Sequence, residues 1–136
     1  GASMIVADSN LIAYLLIRGD RTAEAEAVLL RDPVWTAPLL WRSEFRNVLA
    51  LYVRQKHLSL RDAVQYMQEA ETLLDGNEYQ VESAPVLRLA EQTGRSAYDC
   101  EFVHLAQDLG VVLVTSDKRV LQSFPSVAVS IADFVT

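Results

Sequence analysis

The run Val111–Thr115, "VVLVT", constrains the fold more than any other stretch of the chain. It has no polar face along most of its length, so a strand there must be covered on both sides. That is the situation of a strand inside a parallel sheet with helices on its two faces. "MIVA" and "VWTA" are further short strand-like runs, and "EYQVE" and "VAVSI" are weaker ones. Between them the apolar period lengthens to that of helices: "NLIAYLL", "TAEAEAVLLR", Leu39 to about Gln55, Ser59–Leu74, "APVLRLAEQT", Tyr98–Leu109 and "KRVLQSF". The ends of several are written in the sequence. Pro33 stops the second, Ser59 with Asp62 forms a capping box, Ser96 opens another helix, and Gly94 and Gly110 close two. Strands alternating with helices predict an α/β fold, a mostly parallel central sheet of about five strands flanked by helices, in one domain over residues 4–136. Residues 1–3, "GAS", precede Met4 and read as a cloning remnant.

The composition excludes several kinds of site. One cysteine, Cys100, allows no internal disulfide, and with only His57 and His104 beside it there is no soft-ligand set for zinc, so a bound metal would be held by oxygen. No apolar run approaches the roughly 18–20 residues of a membrane helix, and a cytoplasmic protein is expected. The net charge of −6 argues against a broad basic face for nucleic acid but leaves room for a local one. Apart from Lys56 and Lys118 every basic side chain is arginine, whose planar fork suits phosphate.

In an open parallel sheet, ligands bind beyond the carboxyl ends of the strands. Asp8 ends the first strand and Asp117 lies two residues past "VVLVT". Asp99 falls in the first turn of the helix leading into that strand, and its spacing points it toward the opposite edge or across it, so spacing alone does not join it to the other two. Glu44 shares a helical face with Leu40, Val48 and Leu51, a carboxylate within an apolar stripe. Burying such a charge costs several kcal/mol unless it is paired or bound to a metal. Each acid also fits a structural role: Asp8 and Asp117 as helix N-caps, Asp99 as the fourth position of a box begun by Ser96, Glu44 as a partner of Arg42 or Arg46. If the four converge, no lysine or histidine among them offsets their repulsion, and the natural counter-charge is Mg²⁺ or Mn²⁺.

The order "VADSN", "SEFRN" and "SAYDCEFVHLAQDLGVVLVTSDKRVL" resembles the PIN domain, and within it the VapC-type toxins of bacterial toxin–antitoxin pairs. The resemblance runs from Met4 onward. It implies a Rossmann-like sheet in which Asp8, Glu44, Asp99 and Asp117 converge as a catalytic quartet, with Asp8, Asp99 and Asp117 as metal ligands for Mg²⁺ or Mn²⁺. It implies supporting roles for Ser9 or Asn10 and for Thr115, and hydrolysis of RNA phosphodiester bonds. Cys100, where a small residue is usual, and Glu101 after it depart from the pattern without removing a ligand. Arg42, Arg46, Arg95, Lys118 and Arg119 lie within a few residues of the acids and form a candidate basic rim for RNA. A small antitoxin whose helix lies in a groove, lined by "AEAVLLR" and "DAVQYMQEAETLL", is the implied partner. A homodimer competes for the same helices.

Other α/β enzymes fit less well. A haloacid-dehalogenase-like phosphotransferase needs a second aspartate at the place of Asn10, and a two-component receiver needs one at the end of a middle strand, where "VWTAPL" has none. A PIN-like interaction module without activity, and a PIN nuclease that processes RNA outside toxin–antitoxin systems, stay open beside the toxin.

Overall fold

Residues 4–136 are described by the computed structural model, and the remnant read at 1–3 lies outside the described residues. Strand β1 (Met4–Ala7) is buried on every residue after Met4. It is the middle strand of a five-stranded sheet of order β3-β2-β1-β4-β5, completed by β2 (Val34–Pro38), β3 (Glu78–Tyr79), β4 (Leu113–Val114) and β5 (Ala128–Val129). All four pairings are parallel. The predicted α/β fold with about five parallel strands is therefore the fold observed.

"VVLVT" is less regular than its composition implies, since only Leu113 and Val114 form a continuous ladder. Its neighbours still pair singly: the Val6 N–H donates to the Val112 carbonyl (2.9 Å) and the Thr115 N–H to Val129 (3.1 Å). Leu113, Val114 and Thr115 are fully buried. The register sets Val6 beside Leu113 and Ala7 beside Val114, which brings Asp8 level with Thr115.

Eight helices connect and flank the strands among the described residues: α1 (Ser9–Leu16), α2 (Thr22–Arg31), α3 (Trp41–Arg54), α4 (Leu60–Leu73), α5 (Ser83–Thr93), α6 (Ala97–Leu109), α7 (Lys118–Ser123) and α8 (Ile131–Val135). The Ser59 and Ser96 hydroxyls accept from the N–H groups of Asp62 and Asp99, each at 3.0 Å, as the capping signatures predict. Gly94 and Gly110 end α5 and α6 at φ of 72° and 68°, the left-handed region where a Cβ is strained.

Two expectations are corrected. The weak strand "VAVSI" stops at Val129, because Ser130 caps α8 by accepting from the Asp133 N–H (3.1 Å), a Ser-x-x-Asp signature hidden behind an apolar alternation. On α3 the face turned to the core is Trp41, Phe45 and Leu49, not Leu40, Val48 and Leu51. Leu51 is 41% exposed, and Glu44 stands on the flank of the buried face. A tryptophan and a phenylalanine bury more apolar surface than the stripe one residue away, so they set the helix's rotation.

Candidate active site

The strand order reverses between β1 and β4: the chain moves outward one way through β2 and β3 and the other way through β5. Crevices open at the carboxyl ends of strands at such switch points. Asp8 leaves β1 there and caps α1, its Oδ1 accepting the Ser9 N–H at 2.8 Å. Thr115, beside it at the end of β4, donates its hydroxyl to Asp8 Oδ2 at 2.5 Å and accepts the Asp117 N–H at 3.0 Å. Asp117 in turn caps α7, its Oδ1 receiving the N–H groups of Arg119 (2.9 Å) and Val120 (3.2 Å). The capping roles foreseen for Asp8 and Asp117 are thus real. They occupy one oxygen of each carboxylate, so capping and site chemistry are compatible.

Asp99 does not lie at the opposite edge. A crossover helix runs antiparallel to the strand it precedes, so the first turn of α6 begins at the carboxyl edge where Asp8 and Asp117 stand. Burial raises the Asp99 carboxyl above its ordinary range and the Asp117 charge adds to this, while Ser96, Arg95 and Arg119 oppose it. Glu44 reaches the same place from α3, its Oε1 accepting the Ser9 hydroxyl at 2.7 Å. Its carboxyl is raised by burial first, against the Ser9 bond, and then by the charges of Asp8, Asp99 and Glu101. Asp8 is the most displaced, pushed up to about 6 by burial with help from Asp99 and Asp117, although the bonds from Thr115 and Ser9 pull it down. The four acids therefore share one electrostatic neighbourhood.

Among the described residues, no group of three Asp, Glu, His or Cys side chains converges as the direct ligands of one ion. The donor set is nonetheless carboxylate oxygen throughout, self-repelling and partly dehydrated. That suits a hard octahedral cation, which takes one or two carboxylates and keeps several waters.

The five basic residues separate. Arg95 and Arg119 are close enough to favour the charged form of Asp99, and Lys118 is exposed at the start of α7. Arg42 is committed elsewhere: it pairs with Glu78 at 2.6 and 2.8 Å and with Glu71 at 2.6 Å, so its fork is not free for phosphate. Arg46 borders an apolar groove of about 460 Å³ between α3 and α4 rather than the acids. Two residues outside the predicted set join the edge of the site. Tyr14 and Ser116 share a hydrogen bond at 3.1 Å, linking α1 to the residue between Thr115 and Asp117. The only hint of this in the sequence is a hydroxyl-bearing ring inside the apolar run "LIAYLL".

Two solved structures share this arrangement of strands and helices. PAE2754 from Pyrobaculum aerophilum superposes with a TM-score of 0.78 at 18% identity, over 98% of this chain and 88% of the other. FitAcB from Neisseria gonorrhoeae gives 0.71 at 18% identity, over 95% of this chain and 99% of the other. A comparison with curated proteins finds no match. At that identity the structural likeness speaks for the fold alone, but the sequence itself is matched by the family model "PIN domain" over residues 5–128, from β1 to the first residue of β5. The chain belongs to the PIN domain family, whose members are typically nucleases.

Proposed function

We propose that this chain is a divalent-metal-dependent ribonuclease and the toxin of a type II toxin–antitoxin pair. The observation that carries the reading is the shared neighbourhood of Asp8, Glu44, Asp99 and Asp117 at the switch point, with three of the four carboxyls displaced upward. Perturbed acids in a cleft are a signature of sites built for chemistry rather than for stability.

Asp8, Asp99 and Asp117 would hold Mg²⁺ or Mn²⁺, directly or through water. When bound there, such an ion would supply polarisation of a phosphate oxygen and a more acidic water. Thr115 fixes the rotamer of Asp8 while anchoring the backbone of Asp117, so the two acids keep one spacing. Ser9 holds Glu44 by one oxygen, leaving Oε2 to accept a proton from the attacking water. A raised carboxyl is a better base near neutrality than an ordinary one. Arg95, Lys118 and Arg119 supply the positive charge that draws an RNA backbone to an acidic hole.

End-labelled RNA incubated with the protein and Mn²⁺ or Mg²⁺ tests the activity, with EDTA and Asp8→Asn as controls. Cleavage that persists through both controls overturns the assignment. For the partner, the groove between α3 and α4 is apolar, edged by Leu60 (69% exposed) and Val64 (48% exposed), with Arg46 and Arg54 on its border. It suits an amphipathic helix with acidic flanks, as an antitoxin tail would present. α2, which "AEAVLLR" nominated for such a groove, instead packs on α1 and α8. A homodimer through α3 and α4 is the competing occupant. Sizing the protein alone and with the product of a neighbouring short reading frame separates the two. No helix among the described residues is long and apolar enough to cross a membrane, and a cytoplasmic setting fits the proposed role.

A further inference from the structure

A cleft of about 420 Å³ opens beside the acid cluster, between α1, the turn after it, and α3. Its volume lies in the range of small-molecule sites, roughly 300–1,000 Å³. Three wall residues tie it to the quartet. Asn10 lies two residues after Asp8, Val48 stands one helical turn beyond Glu44, and Tyr14 is hydrogen-bonded to Ser116, the neighbour of Asp117. The cleft therefore begins where the proposed phosphate chemistry ends.

Its wall carries a defect that a folded protein rarely tolerates. The Asn10 Oδ1 atom is buried and has no hydrogen-bond partner. Such an orphan costs free energy, and because it has no surface open to the cleft it gains a partner when the Asn10 side chain turns toward a group bound there. Tyr14 and Tyr52 line the same cleft, with the Arg21 guanidinium 4.7 Å from the centre of the Tyr14 ring. At the mouth Arg18 is 76% exposed and only loosely paired with Glu26, at 3.8 Å. Flat aromatic faces, an amide edge and a loosely held arginine are the groups that take up an unstacked base and its phosphate.

We infer that this cleft is a nucleobase subsite, which seats one unpaired base of the RNA next to the scissile phosphate and reads it through the Asn10 amide. The inference rests on the ribonuclease reading, but its test does not need catalysis. Uniformly labelled, metal-free protein is titrated with the four nucleoside 5′-monophosphates and, separately, with ribose 5-phosphate, and followed by NMR. The nucleotides shift the resonances of Asn10, Tyr14 and Tyr52, and ribose 5-phosphate does not. Leu51→Trp fills the cleft from a position already 41% exposed, so the fold tolerates it. It weakens nucleotide binding tenfold or more with an unchanged melting curve. Equal responses to nucleotides and ribose 5-phosphate, or binding unaffected in Leu51→Trp, overturn the subsite. Base-dependent binding without any RNA cleavage would leave the subsite standing and remove the nuclease.

Discussion

Replacing Asp8 by asparagine should stabilise the metal-free protein at neutral pH, although it removes a hydrogen-bonded buried residue. The Asp8 carboxyl is raised from 3.8 to about 6. At about 1.4 kcal/mol per unit, its ionised form lowers folded stability by about 3 kcal/mol. The amide keeps the bond from the Ser9 N–H but sets an NH₂ against the Thr115 hydroxyl, which then loses its acceptor at a cost of about 1 kcal/mol. The net gain is about 2 kcal/mol, or about 6 °C in Tm for a domain of this size. Because the folded pKa lies above the unfolded one, the penalty on the parent protein is complete above about pH 6 and shrinks as the pH falls toward 3.8. Near pH 4 it is under about 1 kcal/mol, and the lost hydrogen bond leaves the variant level with the parent or below it. Thermal melts in EDTA at about pH 7.5 and about pH 4 therefore cross over. A ligand that binds only the folded parent stabilises it by mass action, so Mn²⁺ should raise the parent's Tm and leave Asp8→Asn nearly unmoved. A variant less stable than the parent at pH 7.5, or a gap that ignores pH, refutes the argument that Asp8 is held against its charge.

Thr115→Val removes both the donor to Asp8 and the acceptor for the Asp117 N–H. Cleavage should fall by about 10–100-fold, as for other groups that orient metal ligands, with Mn²⁺ affinity falling alongside it in a melting titration. Arg119→Ala and Arg95→Ala should each weaken RNA binding more at low than at high salt, lowering the slope of log K against log salt by about 0.7 per lost contact with single-stranded RNA. Arg42→Ala should instead leave RNA affinity unchanged and lower stability by about 1 kcal/mol, measured by urea unfolding, since it strips Glu71 and Glu78 of their partner.

The acids were legible because strand and helix periods fix where a sheet's carboxyl edge falls, and Asp8 and Asp117 sit at that edge in the sequence itself. Asp99 needed one further fact, that a crossover helix starts at the edge where its strand will end. Glu44 was singled out through the wrong stripe: its closeness to the other acids depends on how Trp41 and Phe45 rotate α3, a packing outcome that periodicity alone does not rank. Arg42 shows the reverse limit. Its proximity to Glu44 in sequence suggested phosphate, but side chains two positions apart on a helix point to opposite sides, and its partners come from α4 and β3, distant in the chain. Nor could α8 be read, because Ser130 both ends an alternating run and begins a box.

The hydrogen bond between Asp8 and Thr115 joins residues 107 positions apart. Closing so long a loop is entropically expensive, and the contact is rewarded only once β1 and β4 are paired. On a ribosome Asp8 emerges 107 residues before Thr115 and waits for it. A partly synthesised chain, or a fragment cut before β4, thus carries Asp8, Glu44 and Asp99 but lacks Asp117 and the Thr115 that holds Asp8. The four-acid cluster therefore assembles only after β4 has emerged, and a binder that engages only the earlier helices can meet the chain before the cluster exists.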